Sequence, residues 1–122
     1  MVNSFCGDIM VLALISNNDI LLKNMDYYIS QNVSHVICGN ESLIDKEVIS
    51  YVEKYKIPHT IIELEKNVET EQAYKIRNDL VSDYADEFTL FWNGKDESLM
   101  QLADMCRHKG KRVFMVQVIN HK

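Results

Sequence analysis

The run IMVLALIS, residues 9–16, constrains the fold of this chain more than any other feature. It is continuously apolar, shorter than an ordinary helix, and followed at once by the turn-forming Asn17-Asn18-Asp19. A strand with one wet face alternates apolar and polar residues, whereas a strand covered on both faces reads as an unbroken apolar run. The run therefore predicts an interior strand of a parallel sheet, which in turn demands crossover connections from the rest of the chain.

The rest of the chain supplies them. Four further strands are predicted at HVIC (35–38), HTIIEL (59–64), FTLFW (88–92) and VFMVQV (113–118). In DILLKNMDYYIS (19–30), Leu21, Met25, Tyr28 and Ile29 fall at i, i+4, i+7 and i+8, which predicts a first helix. Ser42 and Asp45 form the S-x-x-D start of a second, striped by Ile44, Val48, Tyr51, Val52 and Tyr55 and stopped by Pro58. A third runs from Thr70 to Ala85. A fourth is capped by Asp96, striped by Leu99, Leu102, Ala103 and Cys106, and ended by Gly110. The order β-α-β-α-β-α-β-α-β has neither linker nor repeat. It predicts one domain over residues 1–122, an α/β three-layer α/β/α sandwich of Rossmann-like type. Its sheet would hold five parallel strands in the order 3-2-1-4-5.

The third helix carries an anomaly. In AYKIRNDLVSDYAD (73–86), at about 100° per residue, Ala73, Ile76, Leu80 and Tyr84 share one face, with Val81 at its edge. Arg77 falls inside that face and Asn78 on its flank. A guanidinium there must snorkel to water, pair with a carboxylate such as Asp45, Glu71 or Asp86, or face a ligand.

Charge and motifs exclude several classes. The net charge of −5 argues against a binder of nucleic-acid backbones. The basic spot Arg107–Arg112 (RHKGKR) reads as the cationic last turn of a helix and its exit loop. Cys6, Cys38 and Cys106 are scattered, as are the histidines, so neither a disulfide frame nor a metal site is expected. That cysteine usage fits a reducing cytoplasm best, and because the apolar run is too short to span a bilayer and lacks the flanks of a signal peptide, no membrane partner is expected. GxGxxG and GxxxxGK[ST] are both absent, which disfavours a dinucleotide or P-loop enzyme, and no cofactor is implied.

In a sheet of this order, ligands bind beyond the carboxyl ends of the strands, where the strand order reverses. The expected lining is Ser16, Asn17 and Asn18 after the first strand and Gly39, Asn40, Glu41 and Ser42 after the second. Trp92, Asn93, Gly94, Lys95, Asp96, Glu97 and Ser98 follow the fourth. Helix N-termini at that edge favour an anion. Asp45 reads as a capping residue before it reads as a ligand contact. Trp92 and Tyr74 either pack or stack on a base. Glu41 and Glu97 complement helix dipoles or serve as acid and base. Cys38 reads as a small buried hydrophobe.

Together these residues give the chain a family likeness. Gly39 with Asp45 (CGNESLID), KIP before the third strand, Ala73 with Arg77-Asn78 (AYKIRN), Ala85-Asp86 and Phe91-Trp92-Asn93-Gly94-Lys95 carry it. In these the chain resembles the SLOG superfamily, the Rossmann-like group that includes DprA and the LOG phosphoribohydrolases. It is similar in particular to the small YspA/YpsA-related, DUF2493-like branch. The resemblance implies a nucleotide- or nucleoside-like ligand held by Arg77 and Asn78 together with the loops at the sheet edge. It also implies where the chain departs. Ser16-Asn17-Asn18 stand where the family carries G-S-R, Glu41-Ser42 where it carries Arg-Gly, and Ser98-Leu99 where it carries Gly-Thr. Each replacement weakens a phosphate contact. The leading expectation is a non-catalytic small-molecule binding module. The alternatives are a LOG-like nucleotide N-glycosidase using Glu97 or Glu41, and a homo-oligomeric interaction domain without ligand.

Overall fold

A computed structural model describes residues 10–17, 22 and 24–117. The strands β1 (Val11–Ser16), β2 (His35–Cys38), β3 (His59–Ile61), β4 (Glu87–Trp92) and β5 (Arg112–Gln117) form one sheet in the order β3-β2-β1-β4-β5. Every pairing is parallel, with Leu14 opposite Cys38 on one side of β1 and Ser16 opposite Phe91 on the other. The helices α1 (Leu43–Lys54), α2 (Thr70–Tyr84) and α3 (Glu97–His108) complete a Rossmann-like α/β sandwich. β3 is shorter than its apolar run suggests, ending at Ile61, so residues 62–64 belong to the sheet edge rather than to the strand.

The alternation along β1 sorts the core into two layers. Leu12 and Leu14 meet Val36, Cys38 and Phe91 beneath Ile44, Val48 and Val52 of α1. Ala13 and Ile15 point the other way, to Phe88 and Leu90 beneath Val81 of α2 and the stripe Leu99, Leu102, Ala103 and Cys106 of α3. Ser42 and Asp45 make the expected capping box on α1. Asp96 caps α3 through the backbone N–H groups of Ser98 and Leu99. At the other end of α3, Gly110 takes φ 75° and passes Lys111 N–H back to the Cys106 carbonyl. Left-handed backbone at that position is where glycine costs least. Three of the four Arg and Lys side chains in 107–112 pair with carboxylates, Arg107 with Asp104, Lys109 with Asp83 and Arg112 with Glu87, and Lys111 donates to the Asp83 carbonyl. This is the helix end and exit loop expected, not a basic patch.

Two expectations are corrected. The first predicted helix, 19–30, is a single 3-10 turn at Met25–Tyr27 within the described residues, while 18–21 and 23 lie outside them. Asn24 adopts φ 61°, in the left-handed region, where an α-helical hydrogen-bond ladder cannot pass. Met25 and Ile29 still anchor the core, so the apolar spacing marks burial without marking a helix.

The second correction concerns α2. Its buried residues are Ala73, Arg77, Asn78, Val81 and Ser82, whereas Ile76, Leu80 and Tyr84 are exposed. The buried face is turned by roughly a quarter-turn or more from the apolar stripe, at about 100° per residue. Small side chains explain the choice. Ala73, Ser82 and the following Ala85 are buried on a helix that packs against α3, and the polar pair between them finds hydrogen bonds to Asn17 and Ser98 at the sheet edge.

Candidate functional site

The capping box of α1 begins the site. Ser42 Oγ accepts from Asp45 N–H at 3.1 Å. Asp45 Oδ2 accepts in return from the backbone of Ser42 at 3.1 Å and of Glu41 at 3.0 Å. The carboxylate lies so close under the end of β2 that a Cβ on residue 39 would sit 2.9 Å from Asp45 Oδ2. Gly39 is therefore the residue that admits the cap. Only one side of Asp45 is satisfied, for its Oδ1 is buried and has no hydrogen-bond partner. Burial raises the Asp45 pKa above the usual carboxylate range, against the pull of the Ser42 and Glu41 hydrogen bonds and of Arg77.

Across from Asp45 stands Arg77, 5% exposed. None of the three carboxylates expected as partners lies within ion-pair distance of it among the described residues. Snorkelling is likewise ruled out by burial. The guanidinium is held by neutral oxygens. Nε and Nη2 both donate to Asn78 Oδ1, at 3.0 and 2.9 Å, Nη1 donates to Asn17 Oδ1 at 2.8 Å, and Nη2 donates to Ser98 Oγ at 3.4 Å. The Tyr74 ring lies under it with the guanidinium carbon 5.1 Å from the ring centre. Burial lowers the Arg77 pKa from its ordinary value, and Tyr74, Asp45 and Asp96 oppose that shift. Asn78 Nδ2 completes the brace by donating to the Ser98 carbonyl at 3.0 Å.

This network ties the end of β1, through α2, to the start of α3. It occupies the place between β1 and β4 where the reversal of strand order suggests a crevice. The cavity opens instead on the β1–β2 side and measures about 190 Å³. Ser16, Asn17, Gly39, Glu41, Ser42, Asp45, Tyr74 and Arg77 line it, with Ile62 and Leu64 from beyond β3. Asn17 Nδ2, like Asp45 Oδ1, is buried without a hydrogen-bond partner.

Of the residues expected from sequence, Ser16, Asn17, Gly39, Glu41, Ser42, Asp45, Tyr74 and Arg77 meet at this cavity. Asn78 and Ser98 stand behind Arg77 and brace it. Asn40 is adjacent and half-buried, with a third unpartnered atom, Oδ1. Asn18 lies outside the described residues. The β4 turn is separate. Trp92 packs on the core and donates from Nε1 to the Asp96 carbonyl at 3.1 Å. Asn93 Oδ1 accepts from the backbone of Lys95 and Asp96. Gly94 supplies φ 91° to the turn. Glu41 is on the rim of the cavity, but Glu97 lines a different surface depression with Glu71, Gln72, Lys75 and Gln101. Ile62 and Leu64 are the lining residues that strand patterning conceals, because their apolar character reads as a continuation of β3. Cys38 stays inert: burial, with the Asp45 carboxylate adding, pushes its thiol up to about 12.

Among the described residues no group of three or more His, Cys, Asp or Glu side chains is placed to hold a metal, and no helix is long and apolar enough to cross a membrane. Compared with family models, with curated proteins and with solved structures, the chain matches none.

Proposed function

We propose that this chain is a small-molecule binding module of SLOG type, taking a nucleotide- or nucleoside-like ligand at the carboxyl edge of its parallel sheet. One observation carries the reading. A buried guanidinium without a carboxylate partner lines a cavity at the sheet edge, and two of its neighbours there, Asn17 and Asp45, each bury a polar atom, Nδ2 and Oδ1, without a partner. Leaving such groups unpaired costs about 1–3 kcal/mol each. Natural chains place that kind of cost at functional sites. The cavity is smaller than the usual pocket for a drug-sized ligand, roughly 300 Å³ and upward, so it fits one end of a nucleoside and not the whole of a dinucleotide.

A thermal-shift screen of nucleosides, nucleoside monophosphates and dinucleotides at millimolar concentration tests the proposal. At least one should raise the melting temperature, and Arg77→Ala should remove the shift. Arg77→Lys, which keeps the charge, serves as the control for folding. If no compound in the panel shifts the wild-type chain, the proposal fails. The hydrolytic alternative, using Glu97 or Glu41, finds less support, because Glu97 lies outside the cavity and Glu41 only on its rim.

A further inference from the structure

We infer that this chain forms a two-fold homodimer in which the β5 strands of two copies pair antiparallel, edge to edge, and α3 packs on the partner's α3. The inference is independent of the proposed ligand, because the β5 edge lies two strands away from β1 and its cavity.

The two edges of the sheet are built differently. β3 is three residues long and follows Pro58, the short, proline-flanked form that resists pairing. β5 is six residues long, RVFMVQ, and positions 113–117 carry neither charge nor proline. Among the described residues no strand lies on its outer side. The unpaired N–H and C=O groups of such an edge are a template for another strand. Side chains add to this. Phe114 stands opposite Thr89, and through it Leu14, on the α1 side of the sheet. It is 50% exposed beside Tyr27, Tyr28 and Val116, while α1 packs farther along on β1 and β2.

The layer over the edge selects a second copy rather than an unlike strand. On α3, Ser98 and Lys109 face α2 through their hydrogen bonds to Asn78 and Ser82. At about 100° per residue, Met100, Asp104 and Arg107 lie about 180–240° around from Ser98, on the flank turned away from α2 and toward the β5 edge. All three are exposed. Because α3 packs on β4 and β5, its axis lies over the gap between them. With strands about 4.8 Å apart, two such helices would stand about 10 Å apart across a β5–β5 junction, the ordinary distance for packed helices.

A two-fold axis perpendicular to the sheet makes both the strand pair and the helix pair antiparallel. Centred on Phe114, it sets Phe114 against the partner's Phe114 and Val113 against the partner's Met115, apolar on apolar on both faces. Phe114 lies two residues, about 7 Å, above the start of β5, a height that α3 reaches about four to five residues back from His108. That is the middle of the row, so the row meets itself reversed and Arg107 faces the partner's Asp104. Within one copy these two make only an exposed pair at 3.8 Å, which leaves both free to turn. A net charge of −5 opposes self-association over most of the surface. This junction is the exception, with an uncharged strand and one charge of each sign in its helix row.

Sedimentation equilibrium of the full chain at micromolar to hundred-micromolar concentration tests the inference. Wild type should be dimeric. Phe114→Lys and Phe114→Glu should each be monomeric, with circular dichroism close to wild type. An equimolar mixture of the two should recover dimers, because the axis places residue 114 on itself. Should both variants misfold, the helix row carries the test. Arg107→Asp should raise the dimer dissociation constant at least tenfold, and adding Asp104→Arg in the same chain should restore it. Leu80→Lys, on the exposed stripe of α2, should leave the dimer unchanged. Any of five results overturns the inference: a wild type that stays monomeric, a dimer that survives both folded Phe114 variants, a mixture that does not recover, an Arg107→Asp variant without effect, or a dimer lost in Leu80→Lys.

Discussion

Replacing Gly39 by alanine tests how the cavity is built. The backbone of Gly39 is not in the left-handed region, so alanine imposes no conformational strain. The cost arises from contact alone: the new methyl would lie 2.9 Å from Asp45 Oδ2, and the carboxylate would have to withdraw. Withdrawal stretches the hydrogen bonds that Oδ2 accepts from Glu41 and Ser42, now 3.0 and 3.1 Å. Losing an N-terminal cap costs about 1 kcal/mol, and a buried N–H left unpaired costs about 1–3 kcal/mol. Together these give about 2–4 kcal/mol. With a urea dependence of about 2 kcal/mol per molar, the unfolding midpoint should fall by about 1–2 M. A double-mutant cycle isolates the cause. In an Asp45→Ala background the carboxylate is gone, and Gly39→Ala should then cost less than about 0.5 kcal/mol, a coupling of at least 1 kcal/mol. A loss below 0.5 kcal/mol in the wild-type background, or an equal loss in both, would refute the packing of Asp45 beneath the end of β2.

Two further expectations concern stability. Lys56 ends α1 with φ 57°, passing Ile57 N–H back to the Val52 carbonyl, a position that glycine fills at less cost. Lys56→Gly should raise stability by up to about 1 kcal/mol in urea unfolding, and a loss would contradict the geometry of that turn. The buried thiols give the second. Folding pushes Cys38 from 9.0 up to about 12 and Cys106 from 9.0 up to about 11. Above pH 9 the unfolded chain releases these protons and the folded chain retains them, so stability declines as pH rises from 9 toward the folded values. Each thiol contributes a slope of about 1.4 kcal/mol per pH unit. Unfolding measured between pH 9 and 11 should therefore be less pH-dependent in Cys38→Ala than in wild type, and identical slopes would contradict the burial.

The strand order was legible because it follows from short apolar runs alternating with helices, and hydrophobic patterning records that directly. Caps were legible for a similar reason: the Ser42–Asp45 box, Asp96 and Gly110 act within a few residues of themselves. The face of α2 was not. Periodicity favours the largest apolar side chains, Ile76, Leu80 and Tyr84, whereas the buried face carries small ones with Arg77 and Asn78, which hydrogen bonds to distant segments hold in place. The place of the cavity escaped for the same reason. Strand order locates the edge, but only the tertiary bonds of Arg77 to Asn17 and Ser98 decide which side of β1 stays open. Asn24 shows the converse case, in which a correct apolar spacing is carried by non-helical backbone.

The position of the site is tested most directly by nuclear magnetic resonance of the nitrogen-labelled chain titrated with a nucleoside. The account requires the side-chain amide of Asn17 to shift, together with the backbone amides of Gly39, Glu41 and Tyr74, while those of Asn93 and Gly94 stay in place. Shifts confined to the turn after β4, or an unmoved Asn17 amide at saturating ligand, would contradict it.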